Sequence, residues 1–243
     1  MERQLPKLKL LEARKGPWRI ERFSISQQEA ELHQLREAIN GRDRGVEPGE
    51  YTALVHDRRG IVMSDTPAES RDHFQVVDWL DEGAKTFLVH GLGLGLIATW
   101  LCSDPRTERV DVVEFDQDVI DLVGSQLSRF DRLHIHHGDA FTFEFPDDFP
   151  DDQRWDAAWH DIWDSICSDN LPEMDALEGR YASRVKVQGS WAREVCEQKY
   201  AESRALLREV YRQRGKAIGD EAAAKVGMDP IDDMDLDERL ERS

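Results

Sequence analysis

The sequence predicts an α/β fold: a doubly wound parallel sheet, short at about five strands, with an N-terminal helix and β-hairpin ahead of it. Three observations carry that expectation. Apolar runs of strand length alternate with segments of helical periodicity from Thr86 onward. The first run, Thr86-Phe87-Leu88-Val89, leads through His90 into glycines at alternating positions, Gly91, Gly93 and Gly95. The second run, Val110 to Phe115, carries a carboxylate, Glu114, at its end. A buried strand, a tight glycine turn, a helix and a second strand ending in an acid make the opening unit of a Rossmann-like sheet.

The boundaries read as follows. Residues 1–16 are basic and irregular, a flexible arm. Residues 17–65 form a helix and hairpin subdomain, 66–216 the sheet domain, and 217–243 an acidic, disordered tail with Asp232, Asp233, Asp235, Asp237 and Glu238. Trp18-Arg19-Ile20-Glu21 alternates, and Phe23 and Ile25 resume out of phase, which predicts a strand with a bulge. Ser26-Gln27-Gln28-Glu29 has capping-box form and opens a helix through Leu32, Leu35 and Ala38, which Asn40-Gly41 ends. A charged loop, 42–50, leads to a hairpin of Tyr51–Val55 and Ile61–Met63 around Asp57-Arg58-Arg59-Gly60. Thr66-Pro67-Ala68-Glu69 starts a helix through Phe74, Val77, Trp79 and Leu80, with Gly83 as its terminator.

The alternation then becomes regular. Strand Thr86–His90 precedes helix Leu94–Cys102, and strand Val110–Phe115 precedes helix Gln117–Leu127. Strand Leu133–His137, a Phe/Pro/Asp-rich loop and strand Trp155–His160 follow. Helix Leu171–Tyr181 has Asn170 and Glu173 in capping-box spacing. Strand Arg184–Gln188 precedes a long amphipathic helix from Trp191 to about Arg214. Its stripe of Trp191, Val195, Leu206, Val210 and Tyr211 reads as core or as a partner-helix face, so a homodimer is possible.

Composition narrows the function. A net charge of −18 opposes non-specific binding to phosphate backbones. No apolar run reaches the roughly 18 residues of a membrane span, and the charged start, Met1-Glu2-Arg3, is unlike a secretory signal. Cys102, Cys167 and Cys196 are too far apart for a zinc site and suit a reducing cytoplasm. His134 and His136 share a strand face, His137 takes the other, and no fourth ligand follows at a recognisable spacing, so no metal is expected.

The glycine turn lets a ligand approach bare backbone, and the helix start behind it offers N–H groups to an anionic group. Glu114, 23 positions after Gly91, suits ribose hydroxyls; otherwise it and Asp116 cap the next helix. In Gly138-Asp139-Ala140, Asp139 faces an adenine amine or is a turn acid. His160, Asp161, Trp163 and Asp164 stand where the fourth strand of the sheet ends. An aspartate there orients an amine or hydroxyl nucleophile and accepts its proton, and Trp163 packs over a cationic or planar substrate. The structural alternative is that Asp161 and Asp164 cap and solvate the loop.

Val89-His90-Gly91-Leu92-Gly93-Leu94-Gly95, Val113-Glu114-Phe115-Asp116 and Gly138-Asp139-Ala140 resemble the first three motifs of class I S-adenosylmethionine-dependent methyltransferases. That resemblance implies a methyltransferase with S-adenosylmethionine as cofactor. It sets Gly91, Gly93 and Gly95 under the methionine part, Glu114 on the ribose and Asp139 on the adenine amine. Within the superfamily, the hairpin Gly60-Ile61-Val62-Met63-Ser64, Glu69, and Trp155-Asp156-Ala157-Ala158-Trp159-His160-Asp161 are most similar to the spermidine-synthase-like branch. Asp161 takes that branch's catalytic position, with His160 and Asp164 as neighbouring candidates. Met63 stands where those synthases carry a cofactor-contacting glutamine, and no tyrosine follows Glu69 at the expected offset. Over about residues 17 to 200 the chain is similar to uncharacterised methyltransferase-like proteins of bacteriophages. The expected function is methyl transfer to a small-molecule or peptide acceptor. The alternatives are aminopropyl transfer to a polyamine, cofactor or partner binding without catalysis, and NAD-dependent oxidoreduction. The absence of an Asn/Asp-Pro-Pro-aromatic motif disfavours DNA base methylation.

Overall fold

The computed structural model describes residues 7–39, 45–144 and 155–226. The helix end at Asn40-Gly41, most of the loop before Trp155 and the tail from residue 227 lie outside the described residues. The chain divides into two compact units, residues 1–165 with 172–193, and residues 166–171 with 194–243.

The first unit holds two sheets. Strands β1 (Ala13–Lys15), β2 (Trp18–Ile25), β3 (Gly49–His56) and β4 (Gly60–Ser64) form an antiparallel sheet in chain order. Helix α1 (Gln27–Ile39) joins β2 to β3, and its capping box is made: Ser26 N–H donates to Glu29 Oε2 at 2.8 Å, and Glu29 N–H to Ser26 Oγ at 3.3 Å. Ahead of β2, within the described residues, β1 pairs with β2 and Leu10 is 2% exposed in the core. Strand β2 runs without a bulge, pairing Trp18 to Ile25 with His56 to Gly49. The apolar phase shift at Phe23 marks where the sheet leaves the core, and Phe23 meets Tyr51 instead. The bulge lies in β4: Leu54 pairs with Met63 and Val55 with Ile61, so Val62 is the extra residue.

Helix α2 (Pro67–Asp72) and helix α3 (Phe74–Asp81) replace the single helix expected there. The break is at His73, φ −106°, whose buried imidazole packs edge-on against Trp159. Tertiary contact outweighs helix continuation. Gly83 ends α3 with φ +106°, Ala84 N–H bonding to Trp79 O and Gly83 N–H to Leu80 O.

Strands β5 (Thr86–His90), β6 (Arg109–Glu114), β7 (Leu133–His137), β8 (Trp155–His160) and β9 (Val185–Ser190) form a parallel sheet ordered β7-β6-β5-β8-β9. The α/β expectation holds, with five strands and helices on both faces. Phe87 and Val89 pack with α3, α4 (Leu96–Ser103) and α5 (Gln117–Leu122) on one face. Leu88 packs with Leu177 and Tyr181 of α6 (Leu171–Tyr181) on the other. Trp18, Ile20 and Leu54 of the antiparallel sheet join the first core.

In the second unit, α7 (Arg193–Val226) is longer than its periodicity predicts. Val195, Leu206 and Val210 are exposed, whereas Trp191, in the first unit, packs on the core. Among the described residues no helix is long and apolar enough to cross a membrane.

One buried charge, inside β6, gave no signal in the apolar pattern. Asp111 is fully buried and accepts from Arg109 Nε at 2.6 Å, Arg109 Nη2 at 2.8 Å and Trp155 Nε1 at 2.9 Å. His136 Nε2 lies 2.9 Å from its other side. Burial alone would raise its carboxyl; the bonds from His136, Arg109 and Trp155 outweigh that and bring it to about 2. Because the folded value lies below the unfolded one, the stabilisation is present above pH 4 and is lost as pH falls toward 2. Denaturant unfolding from pH 5 to pH 2 should therefore show an acid-labile contribution of about 2 kcal/mol that Asp111→Asn lacks. At pH 7, Asp111→Ala should cost about 3–5 kcal/mol by removing the buried carboxylate that Arg109, His136 and Trp155 bond.

Candidate functional site

From β5 the chain winds outward through β6 to β7, then returns to place β8 on the other side of β5. The crevice of such a sheet opens at the carboxyl ends of the two strands flanking that reversal. Here those ends are His90-Gly91 and His160-Asp161, paired in register, with Asp161 N–H donating to His90 O at 2.9 Å. Gly91 has φ +90°, and a β-carbon on it would stand under 3.0 Å from the carbonyl oxygen of Asp161. Only glycine lets these strand ends close on each other. Gly93 has φ +50°, and the space beside it is taken by the sulfur of Met63. Gly95, left-handed, precedes α4, which therefore starts two residues later than the sequence suggests.

Glu114 closes the floor of the turn. It is 9% exposed, and its Oε2 accepts from Leu92 N–H at 2.7 Å and its Oε1 from Asp116 N–H at 2.8 Å. Burial raises its carboxyl against the lowering effect of these backbone bonds. Asp116 is the helix cap: it accepts from Asp118 N–H at 2.9 Å and from the Trp18 indole at 2.7 Å. Glu114 instead clasps the glycine turn to the end of β6, with Phe115 as a third backbone partner. Phe115, next to it, is 73% exposed at the mouth, a feature the apolar-run pattern did not single out. Asp139, after β7, accepts from Phe141 N–H at 2.9 Å in a side-chain turn.

Asp161 faces the crevice with its side chain 19% exposed. His73 Nε2 lies 3.7 Å from its Oδ2. Its carboxyl is pushed up to about 7, first by burial and then by the charges of Glu69, Asp72 and Glu114. Met63, Gly91, Leu92, Ile97 and Asp161 line a cavity with room for about one water molecule.

The other residues expected at the mouth go elsewhere. His160 is fully buried, its ring stacked on His90 with their Nδ1 atoms 2.7 Å apart. Gln188 donates its amide N–H to Glu178 O at 2.8 Å and so presents its oxygen, 3.2 Å away, to His160 Nε2. His160 Nε2 therefore carries the proton, and its Nδ1 accepts from His90. Burial lowers both imidazoles, so the pair is neutral and lies beneath the site, joining the last residues of β5 and β8. Trp163 donates its indole N–H to Glu173 at 2.8 Å. Asp164 forms an exposed ion pair with Arg59 of the hairpin at 2.7 Å. The sequence did not single out His73 and Asp72 as neighbours of Asp161, since both come from the helical segment after the hairpin. Among the described residues no cluster of His, Cys, Asp and Glu could hold a metal ion.

The chain matches no family model. Over 55 residues, 23% of its length, it is 42% identical to the ribosomal RNA small subunit methyltransferase A of Marinomonas sp. (strain MWYL1). That match covers 20% of the relative, so the chain spans about a fifth of the curated protein it resembles. Among solved structures it is similar to the N-methyltransferase NodS from Bradyrhizobium japonicum WM9, with TM-score 0.39, 17% identity, and 50% of this chain and 64% of that one covered. It is also similar to the CcbJ methyltransferase from Streptomyces caelestis, with TM-score 0.38, 15% identity, and 49% and 46% covered.

Proposed function

We propose that the chain is a class I S-adenosylmethionine-dependent methyltransferase acting on a small-molecule or peptide acceptor. The observation that carries this reading is Asp161: a nearly buried carboxyl, poised to titrate near neutrality, where the reversal of strand order opens the sheet beside a glycine turn. The 55-residue similarity to a methyltransferase supports methyl over aminopropyl transfer. The hairpin carrying Met63 over the glycine turn is in keeping with the spermidine-synthase-like resemblance, and three unbridged cysteines with a reducing cytoplasm.

The residues present fit the cofactor in chemistry. The glycine turn already receives a methionine side chain, that of Met63, whose sulfur stands against Gly93 and accepts from Leu94 N–H at 3.3 Å. A thioether of the kind that S-adenosylhomocysteine carries is therefore compatible with this turn. Gly91, Gly93 and Gly95 would underlie the methionine part, the carboxylate of Glu114 would hold the ribose hydroxyls, and Asp139 the adenine amine. Bound there, the cofactor would supply a methyl group activated on a sulfonium. Asp161 orients the acceptor's nucleophile and takes its proton, a role for which a carboxyl near neutrality is suited. His73 and the His90–His160 pair keep that carboxyl at the end of β8.

Calorimetric titration with S-adenosylmethionine, its decarboxylated form, S-adenosylhomocysteine and NADH tests the reading; a preference for NADH overturns it. Glu114→Gln should lower S-adenosylhomocysteine affinity roughly ten- to hundredfold, since charge-assisted bonds to hydroxyls contribute about 1.5–3 kcal/mol. A loss below about twofold would reduce Glu114 to its clasp. Screening amines, nucleosides and peptides for S-adenosylhomocysteine release identifies the acceptor. With it, Asp161→Asn should bind cofactor as wild type does but transfer about a hundred- to ten-thousandfold more slowly. Asp161 also destabilises the native state, because the folded protein holds a proton that the unfolded chain releases. Its effect on stability is absent below pH 4 and grows as pH rises to about 7. Asp161→Asn should accordingly raise the melting temperature at pH 8 and leave it unchanged at pH 4; an equal shift at both would mean that the aspartate ionises normally.

A further inference from the structure

The hairpin does more than cover the sheet. The extra residue Val62 in β4 re-aims the strand just before Met63, and Ile61 beyond it is left 60% exposed. Met63 packs instead against the first core and reaches the glycine turn. There its sulfur accepts from Leu94 N–H and fills the space over Gly93. At the hairpin's tip Arg59 pairs with Asp164 and stacks over Trp18, its guanidinium carbon 4.7 Å from the ring centre. At its base Ser64 N–H donates to Glu69. The segment holding Met63 is thus tied at both ends, while Met63 itself is held by a weak acceptor on a side chain with three rotatable bonds.

We propose that Met63 is a displaceable plug of the glycine turn, an autoinhibitory side chain whose thioether fills the space over Gly93 that the methionine part of the cofactor would need. The proposal rests on the cofactor reading above and adds to it a competition. A ligand seats only when Met63 releases Leu94 N–H and leaves Gly93, so the apparent affinity is reduced by the fraction of molecules that are closed. The weakness of the sulfur bond makes the plug reversible, and the ties at Arg59 and Ser64 keep the hairpin in place when Met63 swings out. Met63 would then set how much cofactor is needed to open the site without touching the acceptor.

The test compares wild type with Met63→Ala, which removes the plug, and Met63→Leu, which keeps its bulk and loses the sulfur. In ligand-free protein, amide hydrogen exchange at Leu94 should accelerate at least tenfold in both variants relative to wild type. S-adenosylhomocysteine should bind Met63→Ala about tenfold more tightly than wild type and Met63→Leu about as wild type does. In wild type labelled with [13C-methyl]methionine, the Met63 resonance should move on titration with S-adenosylhomocysteine. Unchanged Leu94 exchange in Met63→Ala overturns the plug. So does S-adenosylhomocysteine binding to wild type with the Met63 methyl unmoved and Met63→Ala no tighter; the cofactor reading then survives alone. If Leu94 exchange accelerates but neither wild type nor Met63→Ala binds S-adenosylhomocysteine, the cofactor reading falls and takes the plug with it.

Discussion

The site depends on two strand ends lying closer than side chains normally permit. Gly91 follows β5 and Asp161 follows β8, and the missing β-carbon of the first makes room for the carbonyl of the second. A left-handed backbone at Gly91 then turns the chain toward β6, where Glu114 catches Leu92 N–H. Any larger residue at 91 would push β8 away, and Asp161 with it. The glycine turn therefore serves the architecture of the crevice before it serves any ligand.

Two aspartates, one buried in the sheet and one partly buried at its end, show how differently the same side chain behaves. Asp111 lies in mid-strand among Arg109, His136 and Trp155, and donors on every side hold it ionised. Asp161 lies at a strand end among Glu69, Asp72 and Glu114, and neighbouring charge adds to burial in favour of its protonated form. The first gives stability at neutral pH; the second costs stability there and gains a titration range suited to proton transfer. The acid excess of the whole chain has a local counterpart at this mouth, which suits a cationic or proton-donating ligand better than a phosphate.

Much of this was legible in sequence, for identifiable reasons. Strands β5 and β8 fall where apolar runs begin and end, because buried parallel strands need apolar side chains on both faces. Gly91, Gly93, Gly95 and Glu114 were visible because left-handed turns require glycine and a strand-end acid interrupts an apolar run. The capping box at Ser26 was a local signal, and its bonds are made locally.

Elsewhere local signals were outweighed. The helix from Pro67 splits at His73, where contact with Trp159 and Asp161 decides the backbone. The expected bulge in β2 is absent, and the actual one, at Val62, lies just before Met63, whose sulfur reaches the glycine turn. His160 was placed at the mouth by its position beside Asp161, yet strand alternation and the partner His90 bury it. Local pattern by itself determined the order of elements from β5 onward, the sheet class and the turn, because propensity and hydrophobic period act over a few residues. Only the tertiary structure decided which acids surround Asp161, how its proton is held and what fills the glycine turn. Those depend on side chains far apart in sequence, brought together by burial, where desolvation and charge act through space rather than along the chain.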